Sequence, residues 1–125
     1  YFAYHPTERD VLCETFSAPP EAFFTQAGRV GEEAMTFLRN MKHMAACGFL
    51  VRDESAGTIR PVKNGPPNIS YDVNANDFRK FKAGIETSTE TFFEAGSRKV
   101  KPLIAHAKFF TSWNEARQTV PEPAG

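Results

Sequence analysis

Long hydrophobic runs are missing from this 125-residue sequence: nowhere do the roughly 20 apolar residues of a membrane-spanning helix stand together, and no charged-then-apolar leader opens it. No membrane span is expected. Cysteine is nearly absent. Cys13 and Cys47 are the only two, both among apolar neighbours and neither with a partner at metal-ligand spacing, which argues against a disulfide framework. They read as small buried hydrophobes in a reducing compartment, leaning the localisation towards the cell interior. Charge of one sign is lacking too. Fifteen basic residues balance fifteen acidic ones, so no net field attracts nucleic acid or an anionic membrane, and neither is an expected partner. The eight glycines are scattered as turns and helix ends and form neither the dinucleotide fingerprint nor the nucleotide-triphosphate loop, so this segment by itself is not expected to hold a dinucleotide. His5, His43 and His106 stand in three different segments without a second ligand at helix-turn spacing, so neither a metal site nor a catalytic histidine is expected. A Gly-Xaa-Ser-Xaa-Gly elbow and a Cys/His pair are absent as well, which sets aside a small hydrolase.

What is present suffices for one core. A chain of this length with 41% hydrophobic residues is expected to form a single domain. Residues 10–16 mix Val11, Leu12, Cys13 and Phe16 with polar residues as a strand does, and Ala18-Pro19-Pro20 stops it. Over 32–46, Ala34, Leu38, Met41 and Ala45 recur on one helical face behind Glu32 and Glu33, with Gly48 as a stop. Residues 49–54 and 58–62 read as a hairpin turning at Ser55-Ala56-Gly57, and 69–73 as a third strand of the same sheet. Asn74 or Asn76 caps the next helix, in which Phe78, Phe81, Ile85 and Phe92 form a greasy face up to Gly96. Residues 100–104 make a short final strand, and 121–125 an unstructured exit. Strands joined by hairpins and alternating with two long helices predict an α+β fold, an antiparallel sheet with helices packed on one face. The opening Tyr1-Phe2-Ala3-Tyr4, with no turn or cap before it, is expected to continue a longer chain.

Twelve phenylalanines, several in adjacent pairs (Phe23-Phe24, Phe92-Phe93, Phe109-Phe110), exceed what one core stripe can take, because neighbouring side chains diverge. The surplus points to a second apolar surface, either a ligand cavity or another domain. Arg52-Asp53-Glu54 and Arg79-Lys80 read as solvated faces without function. Glu14 differs, because it interrupts the apolar strand around it. It either points outwards as an ordinary surface carboxylate or is enclosed, where it could exchange a proton with a substrate hydroxyl.

Several segments in order resemble the glucose-methanol-choline (GMC) oxidoreductases, nearest to their long-chain alcohol oxidase and cholesterol oxidase branches. They are Leu50-Val51-Arg52-Asp53-Glu54-Ser55-Ala56-Gly57-Thr58-Ile59-Arg60, then Gly65-Pro66-Pro67-Asn68-Ile69-Ser70-Tyr71, then Asn76-Asp77 opening a helix that closes on Phe92-Phe93-Glu94-Ala95-Gly96. The resemblance covers about half of the chain well and 11–44 more loosely. It implies the substrate-binding portion of a flavoprotein, a sheet roofing FAD, with the flavin-binding domain of the parent chain as partner. The activity implied is oxidation of a primary or secondary alcohol to a carbonyl, with hydride passing to the flavin. FAD would be held mainly outside this segment, since the family's glycine fingerprint and its late His-Pro segment are both missing here. In the cholesterol oxidase branch a glutamate in the strand before a Pro-containing turn is an acid-base group, and Glu14 stands in the similar place. Phe16, Phe49, Val51 and Tyr71 are the expected substrate-binding residues, from strand alternation and the family picture. With the phenylalanine surplus, the implied substrate is a small apolar alcohol. The competing reading is a stand-alone α+β module that binds an apolar ligand or a protein partner and has no redox activity.

Overall fold

The structure of the chain is a computed structural model that describes residues 2–17, 19, 31–102 and 108–119. Strands β1 (Phe2–Tyr4), β2 (Val11–Phe16) and β3 (Ala46–Val51) form one sheet in the order β1-β2-β3, antiparallel throughout. Between β2 and β3 lies helix α1 (Gly31–Asn40), extended by a 3-10 turn, Met41–His43. Strands β4 (Gly57–Arg60) and β5 (Asn68–Tyr71) pair only with each other, as a second antiparallel sheet. Helices α2 (Ala75–Glu94) and α3 (Trp113–Arg117) follow. The α+β class expected from the sequence is the class of this fold.

Helix α2 is well specified locally. Asn74 is extended at its N-cap and its side chain accepts the Asp77 N–H at 2.8 Å, satisfying one donor that a helix start leaves orphaned. At the other end Gly96 takes φ +88°, and the amides of Gly96 and Ser97 bond back to the carbonyls of Phe93 and Phe92. The helix packs on β2 and β3, and α3 packs on α2. Val11, Val100, Phe110 and Ala116 are buried here, with Val100 and Phe110 bridged by a pair of backbone hydrogen bonds. The adjacent aromatics split as their geometry demands: Phe110 enters the core, while Phe109 faces outwards with the Lys101 ammonium 5.9 Å from its ring centre.

The stripe of α2 that sinks deepest is not its greasy one. Asp77, Lys80, Gly84 and Thr89 are buried, whereas Phe78, Phe81, Ile85 and Phe92 are half-buried flanks. Gly84 explains the close approach to the sheet: a β-carbon there would stand 2.5 Å from the Phe49 ring, which also meets Phe81 edge-on at 6.2 Å. Gly84→Ala therefore forces the ring to shift. Overpacking costs about 1–3 kcal/mol against about 1 kcal/mol of gained helix propensity, so a net loss of about 1 kcal/mol is expected as a lower denaturant midpoint at constant slope. Adding Phe49→Leu should recover part of it, and simple additivity of the two changes would contradict the contact.

Several expected elements shift. The first helix ends at Asn40, and Gly48, expected as its stop, lies inside β3, where Ala46, Cys47 and Gly48 pair with Phe16, Thr15 and Glu14. Sheet pairing outweighs the helical spacing of Ala45. The hairpin expected between 49–54 and 58–62 does not form, and 69–73 does not extend that sheet: β3 pairs with β2, and β4 with β5. The reason lies in the connecting residues. The amides of Glu54 and Ser55 donate to the Asp77 carboxylate at 2.9 and 2.7 Å, and the Arg52 carbonyl accepts from the Lys80 ammonium at 2.9 Å. Backbone groups claimed by the helix are not available for a ladder. Strand β1 and helix α3 had no counterpart in the sequence reading. Of the expected strand 100–104, Val100 forms only an isolated bridge, and residues 103–104, like Phe23, Phe24, His106 and the exit 121–125, lie outside the described residues.

Candidate functional site

Alternation along the three-stranded sheet gives it two unlike faces. Val11, Cys13, Phe49 and Cys47 lie on the side covered by α2, where burial pushes the Cys13 thiol upward from the usual range. Both cysteines are free. On the opposite face, Tyr4, Leu12 and Leu50 stand in one cross-strand row, Glu14 and Gly48 are paired in the next, and Phe16 and Ala46 in the one after. No described element packs on that face. Leu50 is 57% exposed, Tyr4 59% and Phe16 43%. Glu14 is half-buried at its centre, opposite a glycine that leaves open space beside it, since a β-carbon on Gly48 would meet nothing within 4 Å.

At one end this open face deepens into a groove lined by Tyr4, Arg9, Asp10, Leu12, Leu50, Val51 and Arg52. Its edge is held by a charge cluster around a buried ammonium. Lys80, 4% exposed, meets Asp77 at 3.3 Å and Asp10 at 3.2 Å, with Glu54 at 3.7 Å. Because Asp10 leads into β2 and Arg52 leaves β3, this ammonium ties both strand ends to the helix. Asp77, fully buried, accepts from the Ser55 hydroxyl, from the amides of Ser55 and Glu54, and from the Asn74 side chain. The Ser55 hydroxyl above all, helped by the two amides and by Lys80, holds its carboxyl down at about 2. Lys80 is shifted upward: burial opposes its charge, and the carboxylates of Asp10 and Asp77 outweigh burial. Lys80 was expected on a solvated face. It is buried instead, because four acceptors surround it.

The structure brings two of the five expected site residues together. Glu14 and Phe16 share the open face. Phe49 points the other way into α2, and Val51, paired with Val11, reaches only the groove's rim. Tyr71 lies on the separate β4–β5 sheet, its hydroxyl donating to Asp53, a hydrogen bond that raises the phenol's pKa. Arg9, Tyr4, Leu12 and Leu50 were not singled out from the sequence, and Arg52 was read as plain surface. The alternation of Leu12, Glu14 and Phe16 against Val11 and Cys13 was the signal for an apolar second face, but the cross-strand row needs a register that only the folded chain supplies.

The chain is 28% identical over 90 residues to two uncharacterised GMC-type oxidoreductases of Mycobacterium tuberculosis, from strains CDC 1551 / Oshkosh and ATCC 25618 / H37Rv. The similarity is to GMC-type oxidoreductases. The match takes in 72% of this chain and 14% of each relative, so the chain spans about a seventh of the length of the proteins it resembles. No protein-family model and no solved structure matches the chain. As for a flavin dinucleotide, the described residues fit only part of it. The open face offers apolar side chains to a ring system, but the left-handed glycines among the described residues, Gly31 and Gly96, sit at helix ends and no glycine loop offers a cradle for a pyrophosphate.

Proposed function

We propose that this chain is the substrate-side part of an FAD-dependent oxidoreductase that converts an apolar primary or secondary alcohol to a carbonyl, with the open face of the β1-β2-β3 sheet as the wall of the reaction site. One observation carries the reading: among the described residues, a three-stranded sheet with a helix on one side leaves its other side apolar, uncovered and interrupted by one half-buried carboxylate. A domain that stood alone would expose such a face to water at a cost in solubility, whereas a flavin-bearing partner in the same parent chain would cover it. The distant similarity to GMC-type oxidoreductases supports the same direction.

Flavin, when bound, would supply the hydride acceptor. The chain's own residues have three tasks. Leu12, Leu50 and Phe16 exclude water and receive the alcohol's hydrocarbon part. Glu14 takes the hydroxyl proton on a carboxylate oxygen. Gly48, opposite it, leaves room for the reacting carbon. The test is anaerobic mixing of the FAD-loaded parent chain with a series of alcohols while the flavin absorbance is followed. Bleaching by a fatty alcohol, faster than by glucose or choline, is the expected result. A parent chain whose flavin no alcohol reduces would instead leave this segment as the α+β module that binds an apolar ligand or a protein partner.

A further inference from the structure

The groove at the end of the open face has a charge pattern of its own. Four carboxylates lie near it in the chain, and each is engaged, Glu8 by accepting the Asp10 amide at 3.4 Å. Asp10 meets Lys80 at 3.2 Å, Asp53 accepts the Tyr71 hydroxyl, and Glu54 stands 3.7 Å from Lys80. Two guanidiniums, those of Arg9 and Arg52, line the same groove, and among the described residues neither has a carboxylate partner. Beside them the groove is apolar, with Tyr4, Leu12 and Leu50 as its floor. Two like charges lining one groove repel one another, and an anion between them relieves that repulsion while its tail covers the exposed leucine.

We propose that this groove binds a long-chain carboxylate, its acid held between Arg9 and Arg52 and its chain laid over Leu12 and Leu50 towards Glu14. A planar guanidinium matches a carboxylate with two parallel hydrogen bonds, which a point charge would not. From Asp10 to Glu14 the strand covers about 13 Å, a length that a medium fatty chain can follow. The inference deepens the proposed function and rests on it for one point only: the substrate would be an apolar alcohol that carries a carboxylate at the end remote from its hydroxyl. Binding itself needs no flavin.

The experiment is calorimetric titration of the protein with sodium laurate below its micellar range, and with dodecanol, for the unaltered chain and for Arg9→Gln and Arg52→Gln. Both arginines are exposed and the Arg52 backbone contacts survive substitution, so the fold is expected to persist, as circular dichroism will check. Laurate should bind more tightly than dodecanol and weaken with added salt. Each substitution should weaken laurate by about five- to tenfold and change dodecanol by less than about twofold. Equal binding of the two compounds, no binding of laurate, or laurate binding indifferent to both arginines overturns the inference. Association with phosphatidylglycerol vesicles but not with monomeric laurate also overturns it, in favour of a membrane surface. Flavin reduction by plain fatty alcohols with laurate unbound would leave the proposed function standing without this groove. Arginine-dependent laurate binding without flavin reduction would do the reverse.

Discussion

Asp77→Ala is expected to lower the thermal midpoint by on the order of 10 °C or more, or to leave the chain unfolded at room temperature. The substitution removes the acceptor for two loop amides, the Ser55 hydroxyl and the Asn74 side chain at once. It also strips Lys80, buried beside it, of one of its two close carboxylates. A buried donor left without a partner costs more than the bond it had contributed, and here several are left together. Loss of the anchor would also release Arg52 and the β3–β4 connection, so the groove would lose its edge. The pH dependence gives a second, independent readout. The native carboxyl titrates at about 2, and a free aspartate near 4, so between those values the unfolded chain binds a proton that the native chain does not. The contribution of Asp77 is therefore complete above about pH 4 and is lost as pH falls towards 2. Acid titrations of Asp77→Asn, which keeps the shape without the charge, should lack that component. An unchanged acid limb would show that the carboxylate does not carry this stability.

Glu14→Gln should slow the reduction of bound flavin by an alcohol about 10²–10⁴-fold, the usual range for removing a positioned general base, with FAD uptake and thermal stability unaltered. The side chain is half-buried on the open face, among the described residues it bonds no neighbour that the substitution would disturb, and it faces the empty space beside Gly48. Its removal should therefore act on the reaction and not on the fold. Glu14→Asp should retain part of the rate, because the proton acceptor survives with a shorter reach. A rate for Glu14→Gln within about twofold of the unaltered protein would take Glu14 out of the chemistry and leave it as part of the wall.

Other parts of the structure divide by how local their causes are. Strand β2 was legible because Val11, Leu12, Cys13 and Phe16 stand in a short run closed by prolines, and helix α2 because Asn74 and Gly96 bracket it. The expected hairpin between β3 and β4 failed where nothing local was wrong. Ser55-Ala56-Gly57 is good turn material, but the Ser55 amide bonds a carboxylate 22 residues away. The charged pair Arg79-Lys80 read as one solvated face, yet one turns outwards and the other into a nest of carboxylates. Gly84 carried no hydrophobic signal, and it is the residue on which the sheet comes closest to the helix.

The sequence by itself determined the α+β class, the helix from its cap to its glycine, the lack of net charge and the presence of more phenylalanine than one core stripe accepts. These follow from propensities and spacings acting over a few residues. Only the tertiary structure decided which strands pair, and with them which side chains share a face. Antiparallel register puts Tyr4 beside Leu12, and puts Leu12 beside Leu50 and Glu14 beside Gly48 although the two residues of each of these β2–β3 pairs lie 34 or more positions apart. It also decided that Lys80 is buried, since burying an ammonium is favourable only when Asp10, Asp77 and the Arg52 carbonyl converge on it from separate segments. Such convergence is a property of the folded chain, because each contributing residue is indistinguishable from ordinary surface until the others arrive.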